Sequence, residues 1–189
     1  TACSIIDNWD GLYNLDSVGS SVWREFWSRV RNTPDLWAVP FDATDPVNTP
    51  NTLNVDDPAV VERVLCSIGG AVDRLVTAGL ALDLPWGEAQ YRPTGDGVGK
   101  TPIHGGFGQS TFSVISSRLV DGEGYSNIPT GNSYIHTVTW DETECPDAFA
   151  VLTYSQSQNP ASPHYADMTQ LYSDKGWNDM PFCPEDVEA

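Results

Sequence analysis

The chain sets 26 acidic against 9 basic side chains in 189 residues, a formal net charge of −17, and so repels nucleic acid and anionic membrane surfaces, both densely negative. A hydrophobic content of 40% supports a packed core at this length. No stretch approaches the roughly 18–20 apolar residues of a membrane span, and residues 1–15 lack the basic start and apolar centre of a signal peptide.

Residues 1–32 read as helical. Ile5, Ile6 and Trp9 form one apolar face, and Val22, Trp23, Phe26, Trp27 and Val30 recur at helical spacing until Pro34 stops the second helix. The stretch 37–54 holds Pro40, Pro46 and Pro50 among Asp, Asn and Thr and reads as an irregular surface connection. Asp57 before Pro58 is a strong helix start, because the carboxylate caps free amides and proline is pre-set for a first turn. Val60, Val61, Val64, Leu65, Ile68, Val72, Leu75 and Val76 carry that helix to about Gly79.

Residues 84–110, rich in Gly and Pro, read as a long ordered loop, which divides the chain into a helical part over 1–83 and a sheet-bearing part over 111–189. In the latter, 112–117, 134–140 and 148–154 have the β-branched and aromatic content of paired strands, with a turn over 141–147. A closing helix is expected over 163–175, with Ser162 as its N-cap and Gly176 as its stop. The whole is α+β.

The four cysteines, Cys3, Cys66, Cys145 and Cys183, lie far apart with no Cys-x-x-Cys pair, which argues against a zinc knuckle or a thioredoxin-type motif. Two disulfides fit better than buried free thiols and imply a periplasmic or secreted protein. Cys145 and Cys183 flank the final strand and helix, and Cys3 and Cys66 each fall in a helix of the first half, so the expected pairs are 3–66 and 145–183, one of the three arrangements possible.

Three blocks carry a resemblance. The first is Ala2-Cys3 with Trp9-Asp10-Gly11, Asp16-Ser17-x-Gly19 and Phe26-Trp27; the second is Gly105-Gly106-x-Gly108 followed by Gly131-Asn132-Ser133-Tyr134. The third runs from Tyr154-Ser155-Gln156-Ser157 through Pro160-Ala161-Ser162-Pro163-His164-Tyr165-Ala166-Asp167 to Trp177 and Met180-Pro181-Phe182. Together they resemble, in order, the closing part of the large subunit of the penicillin acylase family, in particular the branch acting on acyl-homoserine lactones and aculeacin-type lipopeptides. The resemblance implies an αββα sandwich of the N-terminal-nucleophile hydrolases, shared with the rest of the large subunit and with a small subunit cut from the same precursor. It implies cleavage of an N-acyl amide, in an acyl-homoserine lactone, a lipopeptide or a penicillin, without a cofactor. A Ser, Thr or Cys whose own α-amine is the general base attacks, an acyl-enzyme forms, and an oxyanion hole holds the developing charge. That amine suits the task because its ordinary pKa is about 7.7–8.0.

The family's nucleophile, oxyanion asparagine and accompanying arginine belong upstream of the resembling segment, so no catalytic residue is expected in this chain, and the chain alone is expected to be inactive. Thr1 invites assignment as the nucleophile, but Ala2-Cys3-Ser4-Ile5-Ile6 resembles an internal helix rather than the family's nucleophile block. Ser162, His164 and Asp167 read as a structural lock, since neighbours on one turn rarely supply triad geometry. Asn132 and Ser133 precede a strand which, in the family, packs near the catalytic centre, so they are candidates for supporting it. His104 in a glycine loop and His136 on a strand have no companions at metal-ligand spacing. Trp23 and Trp27 suit packing better than a sugar platform, and Gly95 to Thr101 lacks the spacing of a phosphate loop. The rival from another class is a stand-alone secreted binding module without catalysis.

Overall fold

The computed structural model describes residues 1–95, 98–108, 111–140, 142 and 145–187. It is α+β, with helices and small antiparallel sheets of two or three strands, and it divides into two compact units.

The first unit comprises Thr1–Leu12, Asp16–Ala89 and Asp121–Gly124. Its helices are α1 (Ala2–Asp7), α2 (Ser20–Val30), α3 (Pro58–Thr77) and the single turn α4 (Trp86–Ala89). The helical reading of residues 1–32 is interrupted between α1 and α2. There Asp10 folds the chain back, accepting from the Leu12 amide at 2.8 Å and the Ser17 hydroxyl at 2.7 Å. Gly19 then starts α2 at φ 108°, with Trp9 so close that a Cβ would lie 2.8 Å from the Trp9 Cβ, so only glycine fits. Trp9, Trp23, Trp27 and Trp37 form a half-buried ladder with successive ring centroids 5.2, 5.6 and 6.2 Å apart.

Asp57 caps α3 as expected, accepting from the Ala59 amide at 2.8 Å. The helix closes with the Gly79 amide on Val76 O and the Leu80 amide on Leu75 O, both 3.0 Å, while Gly79 takes the left-handed φ of 77°. Val60, Ser67, Ala71 and Leu75 form its buried stripe. Val30, Leu36 and Val60 centre a core joined by Phe26, Trp27, Trp37, Leu53 and Val64. The stretch 37–54 is more regular than expected, because β1 (Trp37–Val39) and β2 (Asn51–Leu53) pair as a short hairpin that brings Trp37 opposite Leu53.

The second unit comprises Tyr13–Leu15, Gln90–Val120 and Tyr125–Ala189. Residues expected as a loop contain β3 (Tyr91–Pro93) and β4 (Lys100–Pro102), an antiparallel pair. Beside it stands Gln90, fully buried, whose amide nitrogen donates to Ile103 O at 2.9 Å and Gly105 O at 3.0 Å while its oxygen accepts from Ser117 Oγ at 2.5 Å. β5 (Ile115–Val120) begins later than the expected 112–117, because Ser113 O and the Ile115 amide are taken by Gly106. Its partner β6 (Gly124–Gly131) was not expected, since Pro129 and the glycines at both ends read against a strand. β7 (Tyr134–Thr139), β8 (Asp147–Leu152) and β9 (Asn178–Asp179) form an antiparallel sheet in that order. Within the expected turn before β8, Asp141, Thr143 and Glu144 lie outside the described residues. Ile103, Ile115, Ile135, Val151 and Tyr172 form the core, with Ile128 and Leu171 packed on it.

The closing helix α5 (Asp167–Ser173) is shorter than the expected 163–175, and α6 (Pro184–Val187) adds a last turn. Residues 159–165 form turns instead: the Ser162 amide reaches Asn159 O at 2.9 Å and the Tyr165 amide reaches Ser162 O at 3.1 Å. Ser162 is therefore not the N-cap; its hydroxyl accepts from the His164 amide at 3.1 Å, and the cap position is Ala166, which has no side-chain oxygen. Ser155 supplies the missing acceptor from outside the helix, taking the Thr169 amide at 3.0 Å. The exit is a left-handed closure at Lys175, φ 57°, with the Gly176 amide on Leu171 O at 2.8 Å. Gly176 thus follows the stop rather than making it.

Of the two expected disulfides, 145–183 is present, closing a sequence separation of 38. The 3–66 pairing is overturned: Cys3 and Cys66 are free and exposed. Cys66 sits on α3 outside the buried stripe, and α1, which carries Cys3, buries no residue at all.

Candidate functional site

In the second unit, polar side chains from distant parts of the sequence converge on Tyr172. The His104 ring stacks on the Tyr172 ring with centroids 4.1 Å apart, its Nε2–H donates to Tyr172 O at 2.8 Å, and the Tyr172 hydroxyl donates to His104 O at 3.1 Å. Burial pulls the imidazole pKa below its ordinary value; the bond to Tyr172 opposes the shift and the nearby Lys175 charge adds to it. Burial pushes the Tyr172 phenol up to about 12. Both rings are accordingly neutral near pH 7, and the histidine's Nε2–H is already committed to backbone.

This pair borders a cavity of about 360 Å³ whose walls include Phe112, Ile135, Val151 and Trp177, with Asn14, Ser113 and Lys175 as its other polar groups. Lys175 Nζ donates to Asn14 Oδ1 at 2.7 Å. The arrangement offers a largely apolar cavity with one ammonium. Tyr172 and Lys175 were missed in the sequence because each looked like an ordinary residue of a helix end; the Tyr172–His104 pairing spans 68 positions.

The expected residues fall as follows. Thr1 Oγ1 caps α1, accepting from the Ser4 amide at 3.3 Å and sharing a hydrogen bond with Ser4 Oγ at 2.9 Å. Asn132 is half-buried and Ser133 exposed. The Asn132 side chain donates to Phe112 O at 3.1 Å, its amide donates to Val114 O at 2.9 Å, and its carbonyl accepts from Thr153 Oγ1, while Ser133 O accepts from the Thr153 amide. Both residues tie the start of β7 to its neighbours.

Ser162, His164 and Asp167 do come together, though not as a triad. The His164 ring bonds Asp167 through Nδ1 at 2.8 Å, and what reaches Ser162 Oγ is the His164 backbone amide. The His164 side chain thus bonds a carboxylate and not the loop backbone. The loop backbone is held by His164 O, which accepts the amides of Gln156 at 3.3 Å and Ser157 at 3.0 Å. The His164 side chain is 64% exposed. The hydrogen bond from His164 is the largest cause holding the Asp167 carboxyl below its usual range.

His136 lies exposed on β7, its ring 5.7 Å from that of Tyr134. Of the Gly95 to Thr101 run, Asp96 and Gly97 lie outside the described residues. Among the described residues no group of three His, Cys, Asp or Glu side chains is placed to hold a metal ion, and no helix is long and apolar enough to cross a membrane.

The family model described as penicillin amidase matches residues 1–189. Among curated relatives, aculeacin-A acylase of Actinoplanes utahensis is 33% identical over 190 residues, covering 100% of this chain and 22% of the relative. Acyl-homoserine lactone acylase PvdQ of Pseudomonas syringae pv. syringae is 32% identical, and its counterpart in Pseudomonas savastanoi pv. phaseolicola 31%, each over 99% of this chain and 24% of the relative. The chain spans about a quarter of the length of the curated relatives it matches.

Proposed function

The chain belongs to the penicillin amidase family, and from that premise we propose that the whole protein is an amidohydrolase of an N-acyl amide, to which residues 1–189 contribute framework rather than chemistry. The observation that carries this reading is the match of the whole chain to about a quarter of each acylase relative. The substrate class is an acyl-homoserine lactone, a lipopeptide or an N-acylated penicillin, as the names of the relatives suggest for the first two.

In this reading the nucleophile is an N-terminal Ser, Thr or Cys on polypeptide upstream of residue 1, acting through its own α-amine and an acyl-enzyme. The oxyanion asparagine lies upstream as well. The geometry supports this assignment: Thr1 Oγ1 is engaged as a helix cap, and the Ser162–His164–Asp167 cluster lacks a bond from imidazole to serine hydroxyl. The small antiparallel sheets would complete an αββα sandwich with the rest of the large subunit and the small subunit. Asn132 and Ser133 would act on a neighbouring centre only through the strand they fix. The Cys145–Cys183 disulfide supports an extracytoplasmic location.

Expression of residues 1–189 alone and with the remaining subunit segments, followed by an acyl-homoserine lactone hydrolysis assay, tests the reading. Turnover is expected only in the assembled protein. Turnover by residues 1–189 alone would refute it.

A further inference from the structure

A second cavity of the same unit, about 290 Å³, is lined by Arg92, Tyr154, Thr169, Ile103, Ile115 and Ile128 among others. Two of its polar side chains, Arg92 and Tyr154, bear on what it could hold. Arg92, half-buried on β3, donates through Nη1 to Tyr154 O at 3.2 Å and to Thr169 Oγ1 at 3.1 Å, and its guanidinium lies 5.0 Å from the centroid of the Tyr165 ring. Every one of these partners is neutral. In a chain with 26 acidic side chains, none of the described ion pairs includes this guanidinium. Both hydrogen bonds leave from Nη1, whereas a guanidinium presents five donors in a rigid fork.

The second is the Tyr154 hydroxyl, which is buried with no hydrogen-bond partner among the described residues. It rests against Gly131, where a Cβ would lie 2.7 Å from the hydroxyl oxygen, so glycine is what lets the ring reach this depth. Burial raises the phenol's pKa while the Arg92 charge pulls it the other way, so the hydroxyl is protonated at neutral pH and is a donor close to a cation. Ile103, Ile115 and Ile128 supply an apolar part of the remaining wall, beside the polar Ser126, Asn127 and Thr153.

We propose that this cavity is a binding site for a small monocarboxylate with a short apolar tail. The two carboxylate oxygens take the guanidinium fork, which they match in plane and spacing. One of them also accepts the Tyr154 hydroxyl, and the tail lies on the three isoleucines. A primary ammonium is repelled by Arg92. An uncharged amide of the same acid leaves the guanidinium uncompensated. The volume, at the lower end of small-molecule sites, restricts the tail to a few carbons. The inference rests on these residues alone and does not depend on the amidohydrolase reading.

The test uses the full-length protein, with hexanoate as probe and hexanamide as control, read by titration calorimetry and thermal unfolding. Hexanoate is expected to bind and to raise the melting temperature, and hexanamide to do neither. Tyr154→Phe is the decisive variant. It removes an unpaired buried hydroxyl, so the unliganded protein should unfold at the same or a higher temperature, while hexanoate affinity falls about tenfold, equivalent to about 1.4 kcal/mol. A merely structural tyrosine would not divide the two readouts in that way. Arg92→Met should abolish binding; if it fails to fold, Arg92→Lys and Tyr154→Phe still decide the matter. Absence of hexanoate binding to the wild-type protein, as when a carboxylate of the polypeptide already fills the site, would overturn the proposal. So would unchanged affinity in Tyr154→Phe.

Discussion

The two units are held together by different physics. In the first, α3 lays an apolar stripe against its neighbours, and both helix ends are closed by residues adjacent in sequence, Asp57 at the start and Gly79 at the finish. Its two cysteines are free. In the second, short sheets and a seven-residue helix are bound by buried polar side chains that span long stretches of chain, and by a disulfide. The first unit gains stability mainly from apolar area, which is tolerant of small shifts. The second depends on hydrogen bonds whose partners are costly to leave unmade, and it holds the enclosed polar groups a ligand would use.

Breaking the crosslink should separate the units most clearly. Cys145→Ser with Cys183→Ser removes the closure of a 38-residue separation, expected to cost about 4 kcal/mol by chain entropy. Cys3→Ser and Cys66→Ser should each stay within about 0.5 kcal/mol in urea unfolding. A large loss from either would show a constraint in the first unit that its exposed thiols do not suggest. Next comes Gln90→Leu, which leaves the Ile103 and Gly105 carbonyls and the Ser117 hydroxyl without this partner. About 3 kcal/mol of destabilisation is expected; a loss below about 1 kcal/mol would mean that water replaces the amide.

The caps come third. Asp57→Ala should cost about 1 kcal/mol, and Ser155→Ala about the same or somewhat more, because Ser155 Oγ both caps α5 and bonds Thr169 Oγ1 at 3.0 Å. Gentler still is a pH effect in the second unit. His104 has a folded pKa below its unfolded value of about 6.5, so the unfolded chain binds the proton first. Its contribution is therefore complete above pH ~6.5 and lost as the pH falls from there through the depressed folded value. His104→Gln should flatten that part of the stability profile. Asp167, whose folded pKa is lowered, contributes above its unfolded pKa and loses that contribution as the pH falls through the lowered value, well below the histidine window. Smallest is Ser162→Ala, expected within a few tenths of a kcal/mol because the hydroxyl is not a helix cap. His164→Ala should fall within about 0–1 kcal/mol, as for other exposed ion pairs.

Local signals in the sequence correspond to what the structure contains. The Asp57-Pro58 start, the extent of α3, β7 and β8 follow from periodicity and capping within a few residues, whereas of the apolar residues read along α3 only Val60 and Leu75 are fully buried, and Ser67 and Ala71 complete the buried stripe. What failed was non-local. The α5 cap lies 14 positions away at Ser155, so the nearer Ser162 looked like the candidate. β6 is a strand through its pairing with β5 despite a proline and two terminal glycines. The 3–66 pairing assumed that two cysteines in helices would meet, whereas the buried face of α3 turns Cys66 outward. Of the candidate site, His104 was noted only as a loop histidine, because nothing near it announces Tyr172. Neither Arg92 nor Tyr154, which opens the third block, was legible as a cavity group, since the surroundings of a side chain are properties of a packed interior.

The central claim is that the reacting nucleophile lies outside residues 1–189. The most direct measurement is covalent labelling of the processed, active full-length protein with a sulfonyl fluoride that acylation-competent Ser or Thr nucleophiles attack, followed by peptide mapping by mass spectrometry. The account predicts a stoichiometric adduct on the N-terminal residue of a segment upstream of this chain, with loss of acyl-homoserine lactone hydrolysis in parallel. A stoichiometric, activity-abolishing adduct on Thr1, Ser162 or any other residue of this chain would contradict it.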